Sequence, residues 1–452
     1  MVAAAAPRVP IHEAVTGVLT HAGEVLILRR QPHLLAFPGY HAFPGGKIDR
    51  ADRADPAPLA GLEHIPPAAA RALVREIKEE IGVDLAELGA KSRLGQVRSL
   101  GNIVTPASQA IRFSAHYFSI EVTEKPELHP DAGEIAELKW ASPSSLLDRF
   151  ERGEMLAVPP TIWTLRALAK DMCCARIEQF EGNDPNAELT WIEAVAGVKS
   201  LGVRSNTLPP ADRTNCFLIG DDVKDRLLVD PSPNSREELE RLCGSIAELG
   251  FGQIFLTHHH PDHNECAEEI ARRFNVPIGM SEYTRAQLGK RLDGVQLRIW
   301  HEGDVVTQWL GQPVQVVEVP GHDEGQLALM PANRAWCIVS DLYQGVGTVV
   351  IAAPEGNMRK YFDSLRKVIA LDPRVIYPSH GLASGTTHRL RETLKHRIMR
   401  EEQVKSLVLA GKSEDEMLAV IYKDLADPRL LPFARMNIRS HLQKLREEKA
   451  IA

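Results

Sequence analysis

The 452 residues of this chain predict an α/β and α+β multidomain protein, on three observations. At a norm of roughly 150 residues per domain, the length calls for two or three domains, each able to bury its own core. Short apolar runs bounded by Gly or Pro (Leu227-Leu228-Val229-Asp230, Gly252 to Leu256, Val314 to Val319, Trp336 to Val339, Val375-Ile376-Tyr377) read as buried strands through the middle of the chain. Beyond His380 the pattern turns wholly helical, over Thr387–Leu409, Ser413–Leu425 and Phe433–Glu448, with breaks at Gly411 and Asp427-Pro428.

From the N-terminus, Val15–Leu19 and Val25–Leu28 predict a hairpin, followed by Gly39 and by Phe43-Pro44-Gly45-Gly46-Lys47. Ala68–Val83 predicts a helix, because Pro66-Pro67 precede it and Gly82 stops it. Glu76, Glu79 and Glu80 fall at i, i+3 and i+4, so three carboxylates share a face. Like charges at that spacing repel by on the order of 0.2–0.5 kcal/mol per pair, and Mg(2+) or Mn(2+), which prefer oxygen ligands, would offset the repulsion. The alternative is an ordinary solvated acidic face. Trp140 reads as core. An apolar stripe over Thr161–Met172 predicts a helical connector, and Gly182-Asn183-Asp184-Pro185-Asn186 a flexible linker.

The middle of the chain carries the strongest chemical signal. His258, His260, Asp262 and His263 follow the Gly252–Leu256 strand, His322 follows Val314–Val319, Asp341 follows Trp336–Val339, and His380 follows Val375–Tyr377. A solvated His-rich loop would account for the first run alone, but not for three further groups at strand ends in order. Imidazoles suit two Zn(2+), or Fe or Mn, and carboxylates can bridge a second ion. Two such ions lower the pKa of a bridging water from about 15.7 toward neutrality, which makes hydrolysis the reaction class. Asp262 would orient the hydroxide while ligating.

The formal net charge of −7 argues against a surface coated with nucleic acid, although a local basic face is compatible with it. Six scattered cysteines with no CxxC pair fit a reducing, cytoplasmic setting. No apolar stretch approaches the ~18 residues of a membrane span, and Ala3–Ala6 is too short for a secretory core. No internal repeat is evident.

With these residues in place, two resemblances follow. Residues from about 196 to 395 resemble the metallo-β-lactamase superfamily, an αββα sandwich. That resemblance implies that His258, His260 and His322 hold one metal, that Asp262, His263 and His380 hold the second, that Asp341 bridges them, and that Asp230 orients the ligand shell. Ser340 stands where many members have Gly. Residues of about 10–150 resemble the Nudix hydrolases, an α/β/α sandwich, through Arg75-Glu76-Ile77-Lys78-Glu79-Glu80-Ile81-Gly82-Val83. The resemblance implies Glu76, Glu79 and Glu80 as ligands of Mg(2+) or Mn(2+), with Glu79 and Glu80 catalytic beside Asp262. It also implies a further acidic residue where Glu134 stands, just before the expected last strand. The Gly-x-x-x-Phe-Pro-Gly-Gly segment is similar to the acyl-CoA diphosphatase-like branch. Two features depart from the Nudix box: an insertion of about 15 residues between Gly46 and Arg75, and Pro67 in place of the first Glu. The helical tail is similar to the winged-helix-like end of β-lactamase-like-2 type proteins, which include endoribonucleases acting on single-stranded RNA.

The resulting expectation is a Nudix domain over 1–150, a connector over 151–195, a metallo-β-lactamase domain over 196–395 and a winged-helix-like tail over 396–452. The central site would use bridging hydroxide on an ester or thioester, and the Nudix domain would hydrolyse or sense a diphosphate compound such as CoA. The competing readings are an endoribonuclease and a Nudix domain that serves purely as a sensor. A small molecule (an acyl-thioester, an ester or a diphosphate-linked metabolite) is the expected partner, with no membrane; RNA and a second copy of the chain are the further partners considered. The last helix carries Arg435, Arg439, Lys444, Arg446 and Lys449 interleaved with Glu447 and Glu448, which favours packing over nucleic-acid contact two to one.

Overall fold

The computed structural model describes residues 10–109, 111–184, 186–425 and 427–451. The Ala3–Ala6 run and Pro185 of the expected linker lie outside them. The chain divides into two compact units, Met1–Ala196 and Gly197–Ala452.

In the first unit the expected hairpin forms from Ile11–His21 and Glu24–Arg30. The sheet runs in the order His41–Ala42, Glu24–Arg30, Ile11–His21, Arg112–Val122, Leu94–Val104, with Gly45–Lys47 paired to Ile11–His21 and Ile135–Ala141 to Glu24–Arg30. Ile11–His21 and Arg112–Val122 are parallel, with Ile11 opposite Arg112. Helix Pro67–Ile81 begins with proline in its first turn, where no backbone donor is needed. It ends on Gly82 at φ 73°, whose N–H closes on the Lys78 carbonyl. Ala69, Leu73, Ile77 and Ile81 recur at the helical period and pack on one face of the sheet with Val15, Leu19 and Ile120. Each such Leu or Ile contributes about 1.5–3 kcal/mol by burial, so Ile77→Ala would cost about 2–5 kcal/mol. Trp140 packs at the margin of this core, as expected. Helices Pro143–Glu151 and Pro159–Lys170 cover the opposite face through Leu146, Phe150, Ile162 and Leu165, completing the α/β/α sandwich.

The second unit holds two sheets. The first runs in the order Leu297–Ile299, Ile278–Met280, Gln253–Phe255, Leu227–Val229, Arg213–Ile219, Val198–Arg204. The second runs Val305–Trp309, Gln312–Glu318, Leu327–Pro331, Cys337–Ser340, Val375–Pro378, Ser384–Gly385. Helix Arg236–Leu249, capped by Ser235, and helix Ala267–Phe274 belong to the first sheet's half, whereas helix Met358–Leu371 packs on the second through Tyr361, Phe362 and Leu365. This is the expected αββα arrangement, and every expected central strand forms within a residue or two of its predicted place.

The tail consists of helices His388–Leu409, Glu414–Ile421 and Leu431–Glu447 around a small core of Val404, Met417, Ile438, Leu442 and Leu445. The middle helix is shorter than predicted and ends at Ile421. Among the described residues no strand pairs with these helices. Basic residues of the last helix take internal partners: Arg435 and Arg439 meet Glu414, and buried Lys444 meets Glu401 at 2.7 Å. All six cysteines are free thiols, and no described helix is long and apolar enough to cross a membrane.

Candidate active site

Each central candidate residue lies just beyond a strand end, where the backbone has left the ladder and side chains are free to converge. His258, His260, Asp262 and His263 follow Gln253–Phe255, His322 follows Gln312–Glu318, Asp341 follows Cys337–Ser340, and His380 follows Val375–Pro378. All seven expected residues come together. Potential ligand atoms lie within 4.8 Å of one another in three overlapping sets: His258/His260/His322, His258/His263/Asp341 and Asp262/His263/His380. His260 Nδ1 is 3.0 Å from His258 Nε2 and 2.9 Å from His322 Nε2. Asp341 spans the groups, with one oxygen 3.6 Å from His322 Nε2 and the other 3.6 Å from His263 Nε2 and 3.5 Å from His380 Nε2.

The remote nitrogen of each imidazole decides where its lone pair points. His322 Nδ1 donates to the Val350 carbonyl at 2.7 Å and His380 Nδ1 to the Arg213 carbonyl at 2.8 Å. His263 Nδ1 lies 2.8 Å from Asp230 and His260 Nε2 lies 2.9 Å from Glu355. The Thr257 hydroxyl donates to Asp230 and accepts from Ser340, so His258 Nδ1, 3.1 Å from it, is left as a donor too. With the remote nitrogen of every ring engaged in this way, the five inner nitrogens converge on one space. His263 Nε2 and Asp341 Oδ1 are buried there with no hydrogen-bond partner among the described residues, which costs about 1–3 kcal/mol each unless something cationic fills the gap. This donor set fits divalent metal.

The electrostatics agree with that fit. Burial opposes charge on His263, yet Asp262, Asp341 and Asp230 outweigh it and push the ring up to about 10. Burial together with His263, His260 and His322 holds His258 well below its ordinary value. Asp341 is held low against burial by His380 and His263. Asp262, with a side chain 16% exposed, and His260, at 22%, are the ligand candidates most open to solvent, whereas His258, His263 and His380 are sealed. That is the face a substrate would reach.

Several residues in this shell, Ser340 excepted, had not been singled out by the sequence pattern. His259, inside the ligand run, turns away to the buried Asp323 at 2.5 Å and to Glu355 at 3.1 Å. Gln344 donates to Asp341 at 3.0 Å. Asn215 ties the loop of His380 by donating to the Pro378 and Gly381 carbonyls. Ser340 sits at φ 52°, a region that favours glycine, and its hydroxyl repays that strain by holding Thr257 at 2.8 Å.

The first unit's glutamates are arranged differently. Glu80 is buried, accepts from the Gly45 N–H at 2.9 Å and lies 3.7 Å from Arg30; burial pushes its carboxyl up to about 7. Glu76 is tucked under Gly46, where a Cβ would stand 2.3 Å from its carboxyl carbon, so a side chain at 46 would displace that carboxylate. Glu79 is 62% exposed. Among the described residues the three do not form a set within metal-ligand reach of one another. The cation expected to offset them is supplied in part by the chain itself, since Arg75 lies 2.8 Å from Glu76 and 3.3 Å from Glu79. Arg75 is in turn clasped by Asp52, at 2.9 and 3.3 Å, from the inserted segment. Glu134 is exposed beside this region, with its backbone carbonyl accepting from the Gln31 N–H.

Fold and site define a hydrolase class in which metal ligands gather at the strand ends of an αββα sandwich. Residues 209–380 match the metallo-beta-lactamase superfamily, 10–158 the NUDIX domain, and 413–452 the beta-lactamase associated winged helix domain. The chain is thus a hydrolase that joins a NUDIX domain, a metallo-beta-lactamase superfamily domain and an associated winged helix. It is 25% identical over 252 residues to the beta-lactamase-like protein 2 homolog of Drosophila melanogaster, covering 52% of this chain and 82% of that one. It is 28% identical to the hydroxyacylglutathione hydrolase of Bdellovibrio bacteriovorus, over 38% of this chain and 65% of the relative. A solved metallo-beta-lactamase family protein from Thermus thermophilus aligns at TM-score 0.47 and 22% identity, over 57% of this chain and 96% of that one.

Proposed function

We propose that the central domain is a dinuclear metal-dependent hydrolase of esters or thioesters, with His258, His260 and His322 around one ion, Asp262, His263 and His380 around the other, and Asp341 between them. The observation that carries this reading is the Asp341 carboxylate, whose two oxygens face the two histidine groups at 3.5–3.6 Å. Divalent ions bound there, Zn(2+) or Fe or Mn, would supply Lewis acidity and a hydroxide nucleophile at neutral pH. The protein's part is to turn the inner nitrogen of every imidazole toward the ions, through Asp230, Glu355, Thr257 and the Val350 and Arg213 carbonyls. Asp262, on the open side, orients the attacking water and accepts its proton. The hydroxyacylglutathione hydrolase relative favours a thioester among the substrates. Internal pairing of Arg435, Arg439 and Lys444 leaves less free positive charge for the single-stranded RNA alternative.

We read the first domain as a site for a diphosphate compound such as CoA, where Glu76, Glu79 and Glu80 take Mg(2+) or Mn(2+) once the substrate's phosphates add oxygens. The test of the central assignment is Asp262→Ala assayed on acyl-CoA, acyl-glutathione and single-stranded RNA. Turnover of the parent's substrate should vanish while the circular dichroism spectrum is kept; full activity in the variant would overturn the assignment.

A further inference from the structure

Residues 345–357, between Asp341 and helix Met358–Leu371, contain no helix or strand, yet two proposed ligands lean on them. His322 Nδ1 donates to the Val350 carbonyl at 2.7 Å, and His260 Nε2 meets the Glu355 carboxylate at 2.9 Å. A segment without a ladder must have its backbone groups satisfied from outside. At its ends the partners are local, with the Gly345 N–H on the His380 carbonyl and the Asn357 N–H on the Gly321 carbonyl, but for residues 349 and 351 they come from the tail. Ile351 N–H donates to the Asn437 side chain at 2.9 Å, the Ser440 hydroxyl donates to the Ile351 carbonyl at 2.6 Å, and the Arg397 guanidinium donates to the Val349 carbonyl. Asn437 and Ser440 thus grip Ile351 from both sides, as a neighbouring strand would. All three side chains are buried, as are Val349 and Ile351.

The two helices that reach this segment are locked to each other. Glu401 of His388–Leu409 binds both Lys444 at 2.7 Å and His441 at 3.2 Å of Leu431–Glu447, and all three are buried. A helix pair fixed in this way sets the height of Ile351, and with it the Val350 carbonyl that fixes the tautomer and tilt of His322. The rings of the other group are anchored elsewhere, His263 on Asp230 and His380 on the Arg213 carbonyl, and the segment meets that group only through the Gly345 N–H on the His380 backbone carbonyl, six residues before Ile351.

We infer that the C-terminal tail is a working part of the metal centre, with Asn437 and Ser440 as positioning residues that act through Val350 and Glu355 on the His258/His260/His322 group. This rests on the metal-centre reading above. Its mark is selectivity, because disturbing Ile351 should weaken one metal equivalent and spare the other. Loss of outer partners of a ligating histidine typically costs about 10–100-fold in metal affinity.

The test is Zn(2+) titration of the full-length, metal-stripped chain against a chromophoric chelator. The parent should take up two equivalents. Asn437→Ala with Ser440→Ala should take up two with one weakened at least about tenfold, whereas Asn437→Asp, which keeps an acceptor for Ile351, should stay near the parent. The visible spectrum of the Co(2+)-loaded double variant should change for one equivalent. Two equivalents at parental affinity in the double variant would overturn the inference, and so would equal weakening of both. If the double variant does not fold, Asn437→Ala alone carries the same two outcomes. A parent that binds no metal would fail the metal-centre reading first, before any variant is compared.

Discussion

Asp230→Asn isolates the outer shell of the centre with almost no change in shape. Asp230 follows strand Leu227–Val229 at φ 48°, a left-handed conformation that Asn tolerates as well as Asp does. One carboxylate oxygen accepts from the Thr257 N–H at 2.8 Å; the other accepts from the Thr257 hydroxyl at 2.6 Å and faces His263 Nδ1 at 2.8 Å. Asn keeps the first contact as a carbonyl and places an NH2 where the second oxygen stood. That NH2 meets a hydroxyl already accepting from Ser340 and a ring N–H, so donor faces donor. The cheapest relief is for His263 to move its proton to Nε2, which removes the lone pair aimed at the metal. The expected cost is about 10–100-fold in affinity for one equivalent, or roughly 1.4–2.8 kcal/mol at 1.4 per tenfold. Chelator competition on the full chain reads this directly, with the metal-free melting temperature as the control for folding. Two equivalents bound at parental affinity would refute the assignment of Asp230 and the lone-pair argument with it.

The electrostatics supply three more expectations. Because its carboxylates push His263 up to about 10, the metal-free ring carries a proton at pH 7.5 and must lose it to ligate. Metal uptake should therefore release at least one proton, and affinity should rise with pH up to about 10; calorimetry in buffers of different ionisation enthalpy would show no proton release if this is wrong. Asp52 is held below its ordinary pKa because Arg75 outweighs the opposing effect of burial. A depressed carboxyl stabilises the fold above the unfolded value of about 3.9 and loses that stabilisation as pH falls through the lower folded value. Asp52→Asn should thus destabilise the first unit at pH 7 by about 1.5–3 kcal/mol, as for a hydrogen bond to a charged group, seen as a lower melting temperature, and the gap from the parent should close below pH 4. A gap that persists under acid would mean that packing, not charge, is responsible. Finally, after dialysis without chelator the chain should retain metal at the centre around Asp341 but no Mg(2+) at the first unit, as elemental analysis would show; Mg(2+) retained in stoichiometric amount would contradict the geometry of Glu76, Glu79 and Glu80.

The legible parts were those with local signals. Apolar runs ending in His or Asp placed the central strands and the residues that gather at their ends, and Pro67 with Gly82 bracketed the acidic helix to within a residue or two. Asp52, Glu355 and Asn215 had no comparable signal. Each is a single polar residue in a segment without periodicity, and each matters through a partner far along the chain: Asp52 through Arg75, Glu355 through His260, Asn215 through the carbonyls around His380. Burial explains the incomplete reading of the helix glutamates. Spacing at i, i+3 and i+4 puts them on one face, but the sheet below draws Glu80 onto the Gly45 N–H and leaves Glu79 in water. Spacing describes an isolated helix, and packing decides how deep each carboxylate lies.

That difference separates the chemistry of the two domains. In the central domain five imidazole nitrogens and the Asp341 carboxylate converge before any ion arrives, and the lack of a partner falls on buried atoms such as His263 Nε2. Binding there relieves a standing cost and requires little rearrangement, the condition for tight, resident metal. In the first domain Arg75 and Arg30 already neutralise the carboxylates that a cation would use, and Glu76, Glu79 and Glu80 sit at three depths. A magnesium ion, which demands near-ideal octahedral oxygen geometry and parts with its waters reluctantly, gains little from such a set alone. It gains more once a diphosphate brings further oxygens and draws the arginines to itself. On these grounds the central domain would hold its metal continuously, and the first would acquire one together with its ligand.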